Sequence, residues 1–257
     1  MRCAPNLLRR PPGPWAGSVE QACEASLRRL ENSRIQSEDS HSSGRVPPRF
    51  NPQSRPIVAS VKQDSGGVDF RNLVLVKHSL PDIIPTVPAH QWHLSEIGRL
   101  RCKTLAEQVA RHSPHCIVSS SEPKAIETAQ IMASHLNRTC QVIAGLHEHD
   151  RSNVEWGGKE QFEAQVAQFF RYPQRLVMGK ETAAQAHERF AQAVSSVIRA
   201  HPSRNIAIVA HGTVITLLVA QAVGLEPFGF WQRLGLASFV VLSLPKMEWV
   251  TVVENIG

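Results

Sequence analysis

The sequence has no apolar run of 18 residues, no glycine-rich phosphate loop and no metal-binding spacing of histidine or cysteine. The first absence argues against a membrane-spanning helix. Without a GxxxxGK or GxGxxG pattern, functions that depend on a glycine-rich loop around a nucleotide are poorly supported. Neither HExxH nor CxxC occurs, and the histidines scatter over predicted loops and helix ends. We therefore expect no metal site and no other cofactor, although zinc remains the alternative that the histidines suggest.

Cysteine usage indicates a reducing compartment. Two of the cysteines fall in apolar, strand-like segments, and the total is odd. Buried reduced thiols of a cytoplasmic protein are favoured over disulfides. The five cysteines are Cys3, Cys23, Cys102, Cys116 and Cys140.

Residues 1–68 differ in composition from the rest of the chain. They are rich in proline, serine and arginine, and they hold ten basic but only six acidic residues. Such a composition buries too little apolar surface to offset chain entropy, so it predicts a disordered basic extension. Residues 1–19 resemble an organellar presequence faintly, but acidic residues follow and a hydrophobic signal core is missing. The remainder is nearly neutral, and we expect neither nucleic acid nor a membrane as a partner.

Residues 70–257 carry the pattern of one folded domain. Short apolar runs alternate with helical periodicities, which predicts an α/β fold with a mainly parallel sheet. The predicted strands cover residues 72–77, 115–120, 141–144, 205–210, 239–244 and 249–253.

Two of these strands end in a histidine. The run over 72–77 ends in Lys77 and is followed by His78, and the run over 205–210 is followed by His211. In open α/β sheets, ligands bind at the carboxyl ends of the strands. Each histidine alone is equally typical of a hydrogen-bonded core residue. Together they indicate a site at one edge of the sheet.

A lysine occupies an unusual place after the second predicted strand. Ser121 is the predicted N-cap of a helix that continues over 125–136, which places Lys124 in its first turn. A cation there opposes the helix dipole, and it is favourable if an anion binds at the helix start. The alternative is a solvated lysine without a function.

Titratable side chains crowd the segment 146–152, which follows the third predicted strand. A polar surface loop is the simplest interpretation. Beside two imidazoles and two ammonium groups, however, a carboxylate from this loop would complete an anion pocket with a proton donor. That combination suits phosphoryl transfer, in which histidine can be the nucleophile.

Five sequence blocks resemble the histidine phosphatase superfamily, with its phosphoglycerate-mutase-like fold, in order and spacing. The resemblance covers roughly residues 70–257 and implies a sheet flanked by helices on both faces. The blocks are Leu75-Val-Lys-His78-Ser, Leu94-Ser-Glu-x-Gly98-Arg99, Ser120-Ser-Glu-Pro-Lys-Ala-x-x-Thr128-Ala129, Leu146-x-Glu148 and Val209-Ala-His211-Gly212.

The resemblance implies roles for three residues. His78 is expected to be the nucleophile that becomes phosphohistidine, and His211 to bond the transferred group. Glu148 is expected to protonate the leaving oxygen and later to activate water. Asp150 is the competing candidate for this acid.

The sequence departs from the family pattern at three positions. Lys77 and Lys124 stand where arginines usually grip the phosphate, and Ser79 stands where glycine is usual. Lysine keeps the charge but lacks the bidentate geometry of arginine, so we expect a weaker grip. We hypothesise that Arg151 supplies the missing guanidinium. Together with Gly212, these residues are the expected substrate-binding set.

The expected function is hydrolysis of small phosphate monoesters, as in a histidine-type acid phosphatase. A phosphoglycerate-mutase-type phosphotransferase and a non-catalytic phospholigand-binding module are the alternatives. Between Pro81 and His93 the only charged residue is Asp82, so this loop offers no cation for a sugar acid, which favours hydrolysis. The physiological substrate and the oligomeric state stay open.

Overall fold

The structure is a computed structural model that describes residues 71–154 and 157–256. The disordered extension expected for residues 1–68 lies outside the described residues. No helix within those ranges is long and apolar enough to cross a bilayer. Of the three cysteines there, Cys102 and Cys116 are buried and Cys140 is partly exposed, and all three are free thiols.

One six-stranded sheet forms the centre of the described part. Its order is β3-β2-β4-β1-β5-β6. The first four strands in this order are mutually parallel, and β5 and β6 are antiparallel to their neighbours. The predicted mainly parallel sheet is therefore confirmed. The strands are β1 (Arg71–Lys77), β2 (Cys116–Ser119), β3 (Thr139–Val142), β4 (Ile206–Ala210), β5 (Ser238–Leu244) and β6 (Glu248–Val253).

The antiparallel pairing of β6 with β5 has a simple cause. Only residues 245–247 separate β5 from β6. A parallel crossover needs a dozen residues or more, whereas a short turn joins antiparallel strands.

Six α-helices are present in the described ranges, with one 3₁₀ turn at Ala89–Gln91. Ser95 caps the first helix, as predicted, by accepting a hydrogen bond from the backbone N–H of Gly98 at 3.0 Å. The helices are α1 (Glu96–Ala110), α2 (Pro123–Leu136), α3 (Lys159–Arg171), α4 (Ala183–Ala200), α5 (Gly212–Val223) and α6 (Pro227–Arg233).

The core lies on both faces of the sheet, which confirms the expected layers. Along β1, Leu73 and Leu75 pack with α4, α5 and α6, whereas Val74 and Val76 pack with α1 and α2. All four side chains are fully buried. Each such side chain contributes roughly 1.5–3 kcal/mol of burial free energy, so the core holds the strand ends that carry the site.

One strand prediction is displaced. The third strand was expected over 141–144, but β3 covers Thr139–Val142 at the edge of the sheet, and most of it is exposed. Because an edge strand has one unpaired side and little burial, its apolar pattern is a poor guide to its limits.

Candidate active site

Neighbouring parallel strands bring the two predicted histidines together. His78 follows β1 and His211 follows β4, and the register pairs Lys77 with Ala210. The two imidazole rings consequently meet edge to face, with centroids 5.2 Å apart. His78 is 7% exposed and His211 is fully buried. The two histidines therefore lie together at the carboxyl edge of the sheet, where the sequence predicted a site.

His78 is held in a single tautomer. Its Nδ1 lies 2.8 Å from the carbonyl oxygen of Ser79. Because a carbonyl only accepts, Nδ1 carries the proton and Nε2 keeps its lone pair. Burial lowers the pKa of His78 well below its ordinary value, and the neighbouring His211 and the charge of Lys124 lower it further. The ring is therefore neutral at pH 7, with a nucleophilic Nε2.

His211 has the complementary arrangement. Its Nε2 lies 2.8 Å from Ser120 Oγ, and that oxygen accepts a hydrogen bond from the backbone N–H of Glu122 at 3.3 Å. The serine hydroxyl is then free to donate to Nε2, which leaves the proton of His211 on Nδ1. Nδ1 is buried and has no hydrogen-bond partner among the described residues. It is a donor available to an anion.

The carboxylate of Glu148 lies at the N-terminus of α5. It accepts hydrogen bonds from the backbone N–H groups of Thr213 at 3.2 Å and Val214 at 3.3 Å. Burial raises the pKa of Glu148, but the charge of Arg151, the neighbouring His211 and the hydrogen bond from the backbone N–H of His149 outweigh it, and the net pKa is lowered. The carboxylate is therefore ionised at neutral pH.

The loop that carries Glu148 is fastened by an arginine from α4. Arg189 donates to three carbonyl groups of residues 145–148, at 2.8 to 3.2 Å. It also pairs with Glu181 Oε1 at 2.5 Å, and the same oxygen accepts a hydrogen bond from the backbone N–H of Asp150 at 2.9 Å. These hydrogen bonds hold the backbone on both sides of the Glu148 side chain.

Asp150, the competing candidate for the acid, is turned towards its own loop. Its carboxylate accepts hydrogen bonds from the backbone N–H of Ser152 at 3.1 Å and from the Ser152 hydroxyl at 2.8 Å. Burial raises the pKa of Asp150, but these two bonds outweigh it and lower the pKa. The geometry favours Glu148.

Lys77 runs alongside the start of α5. Its ammonium group donates to the carbonyl oxygen of Leu234 at 2.5 Å. A Cβ on Gly212 would come within 3.1 Å of the lysine Cε and 3.2 Å of its Nζ, so glycine leaves the room that this side chain needs. Burial lowers the pKa of Lys77 to about 8, Glu148 opposes this, and Arg151 adds to it.

Lys124 is buried in the first turn of α2, as expected, but its nearest anion belongs to the protein. Its ammonium group donates to Ala89 O at 2.7 Å and to Glu122 Oε2 at 2.5 Å. The predicted N-cap Ser121 is wrong, since α2 begins after Glu122. The Glu122 side chain makes no capping bond and reaches into the site instead.

Ser79 and Arg151 differ in what they offer. The Ser79 hydroxyl donates to Gly98 O at 2.8 Å, and its backbone N–H donates to Thr128 Oγ1 at 3.1 Å, so both groups hold the turn after β1. The guanidinium of Arg151 lies 4.7 Å from the centroid of the Phe162 ring. Its Nη1 is buried without a hydrogen-bond partner among the described residues.

The sequence pattern that defines the histidine phosphatase superfamily (branch 1) matches residues 87–257, about two thirds of the chain. This chain belongs to the histidine phosphatase superfamily. The match begins after β1, so Lys77 and His78 are placed by the structure and not by that comparison.

Individual proteins are similar to this chain in sequence or in fold. The uncharacterized phosphatase PhoE of Bacillus subtilis (strain 168) is 26% identical over 156 residues, which are 61% of this chain and 78% of the relative. A mycobacterial glucosyl-3-phosphoglycerate phosphatase is 22% identical with a TM-score of 0.57, over 73% of this chain and 98% of that one. The α-ribazole phosphatase of Shigella flexneri is 17% identical with a TM-score of 0.56, over 72% and 97%. Both structures share the fold.

Three residues of this superfamily member escaped the sequence analysis: Ser120, Glu122 and Arg189. The first two lie inside a quoted block, but nothing in their spacing reveals what they contact. A charged residue such as Arg189 in an amphipathic helix normally indicates a solvated face. Only the fold shows that it reaches the loop of Glu148.

No group of three histidine, cysteine, aspartate or glutamate side chains within 71–154 and 157–256 is arranged to hold a metal ion. The positive charge at the site comes from Lys77, Lys124 and Arg151.

Proposed function

We propose that this protein is a phosphatase that hydrolyses phosphate monoesters of small molecules through a phosphohistidine on His78. The observation that carries the proposal is the pair of buried imidazoles. His78 presents an unprotonated Nε2, and His211, 5.2 Å away between centroids, holds an unused donor. One ring is equipped to attack phosphorus and the other to bond a phosphoryl oxygen.

The first step transfers the phosphoryl group. The lone pair of His78 Nε2 forms a bond to phosphorus while the bond to the ester oxygen breaks. The departing oxygen takes a proton from Glu148, which leaves an alcohol and a carboxylate. In the second step that carboxylate removes a proton from water, whose oxygen attacks phosphorus. The P–N bond breaks, and inorganic phosphate leaves.

When the ester binds, Glu148 takes up from solvent the proton that the first step needs. The charges around Glu148 lower its pKa. A phosphate dianion bound beside it opposes the charges of Arg151 and the lysines, which raises that pKa. Glu148 therefore takes up a proton as the ester binds.

Arg151 is proposed to supply the guanidinium that the two lysines lack. Its unpartnered Nη1 and its influence on the pKa of Glu148 and Lys77 support this. Replacing it with alanine should raise the Km for a phosphate ester about tenfold or more, the loss of one charge-assisted bond. Full activity of Arg151→Ala would remove Arg151 from the site.

The test of the proposed function is steady-state hydrolysis of p-nitrophenyl phosphate. We expect His78→Ala to abolish the reaction and His115→Ala, which removes an exposed histidine, to leave it unchanged. Activity of His78→Ala equal to that of the parent protein would refute the proposal. Transfer of the phosphoryl group to added phosphoglycerate in preference to water would replace it with the mutase function.

A further inference from the structure

Glu122 is a carboxylate buried among the groups that should receive a phosphate. It is 7% exposed. Its Oε2 accepts from Lys124 Nζ at 2.5 Å, and its Oε1 accepts from the backbone N–H of Glu148 at 2.8 Å. Oε1 also lies 3.5 Å from Nε2 of His211. The side chain therefore contacts three parts of the proposed site at once.

These contacts make Glu122 a competitor for the incoming anion. An ammonium group has three protons, and two of those on Lys124 are already directed at Ala89 O and Glu122. A phosphoryl oxygen that binds the Lys124 ammonium group would therefore lie close to the negatively charged Glu122 carboxylate, which already contacts the same group. At such distances inside a protein, a like charge weakens anion binding substantially.

We propose that Glu122 lowers the phosphate affinity of the pocket by offsetting part of the positive charge of Lys124. The carboxylate is a positioning residue that weakens the hold on the ester and on the released phosphate alike. This inference rests on the proposed function. It adds that Glu122 promotes the release of inorganic phosphate. A lysine held by a carboxylate grips phosphate less firmly than an unopposed cation.

The substitution Glu122→Gln tests the inference with little change in shape. The amide oxygen can still accept the backbone N–H of Glu148, but the amide nitrogen cannot accept from Lys124. Lys124 is then free for the ligand, so inorganic phosphate and orthovanadate should bind at least about tenfold tighter. Km for the ester should fall with them, while kcat should not rise, because ester and product are stabilised equally.

The matched control is Glu107→Gln, which removes the same charge from an exposed position on α1 and should leave phosphate affinity unchanged. In a Lys124→Met background, Glu122→Gln should give less than about a third of its gain, since coupled residues are not additive. Lys124→Arg is a second variant that keeps Glu122. Its additional donors can serve the carboxylate and a phosphate together, so it should also tighten phosphate binding.

Calorimetric titration with phosphate separates the possible failures. If the parent protein binds phosphate and hydrolyses esters, but neither Glu122→Gln nor Lys124→Arg binds phosphate tighter, this inference is wrong and the proposed function stands. An equal gain from Glu122→Gln without Lys124 also overturns it. If neither parent nor variants bind phosphate or vanadate, both proposals fail.

Discussion

The two lysines of the pocket are the same residue type in different electrostatic surroundings. Lys77 donates to a neutral carbonyl, that of Leu234, whereas Lys124 is bonded to a carboxylate, that of Glu122. The comparison teaches that the number of cations in a phosphate pocket is a poor measure of its grip. The affinity for phosphate depends on how much of each positive charge is left unpaired by neighbouring carboxylates.

The largest expected effect comes from removing Lys77, whose hydrogen-bond acceptor in the described part of the chain is a neutral carbonyl. Lys77→Met should lower kcat/Km for p-nitrophenyl phosphate by about 100-fold or more, the loss of one preorganised charge at the transferred group. Steady-state kinetics measures it. If Lys77→Met lowers kcat/Km less than Lys124→Met does, the proposed difference between the two lysines is wrong.

The second effect is a pH dependence that we assign to Lys77. Its pKa is lowered to about 8, chiefly by burial, so it is charged below that pH and neutral above it. Phosphate affinity should therefore fall as pH rises through about 8, approaching tenfold per pH unit. Calorimetric titrations between pH 7 and 9.5 would show the break. In Lys77→Arg the break should disappear, because arginine stays charged, and its persistence there would point to another group.

The third effect is the loss of the compensated lysine. Lys124→Met should lower kcat/Km only about tenfold, because Glu122 already offsets part of its charge. The same change leaves a buried carboxylate without its partner, so thermal stability should fall as well. Adding Glu122→Gln should restore much of the stability. An unchanged thermal stability of Lys124→Met would show that the ion pair between Lys124 and Glu122 does not stabilise the fold.

The smallest effect concerns a buried neutral histidine with no carboxylate paired to it in the described part of the chain. His187, on α4, has a buried Nε2 without a partner among the described residues, and burial lowers its pKa to about 4. The unfolded chain then binds a proton more readily. Stability is complete above the unfolded pKa of 6.5 and is lost as pH falls towards 4.

Between pH 7 and 5.5 this single group should cost about 1 kcal/mol of unfolding free energy. Urea titrations at both pH values would detect it. His187→Leu should remove that portion of the pH dependence, and an unchanged dependence would mean that other histidines carry it.

The sequence predicted the convergence of the two histidines better than the contacts of the residues around them. The convergence of His78 and His211 was predictable, because two buried parallel strands that end in histidine deliver them to one edge. The carboxylate of Glu148 was predictable only through the family resemblance. The contact between Glu122 and Lys124 was not predictable, since a short-range ion pair depends on how a helix start and a loop meet in three dimensions.

Ser79 illustrates the same limit. Its place next to the histidine predicted a substrate contact, yet its hydroxyl is bonded to Gly98 O within the turn. Spacing along the chain fixes which residues are near the strand end. It does not fix the direction of each side chain, which depends on the packing of α1 and α2 against the turn.

The central claim is that His78 carries the phosphoryl group, and trapping the intermediate tests it most directly. The measurement is rapid-quench mass spectrometry of Glu148→Gln with p-nitrophenyl phosphate. This leaving group needs little protonation, whereas water attack lacks its base, so the intermediate should accumulate. We predict an acid-labile phosphoryl group on His78, absent from the His78→Ala/Glu148→Gln variant. An acid-stable phosphoryl group on another residue, or the same label without His78, would contradict the account.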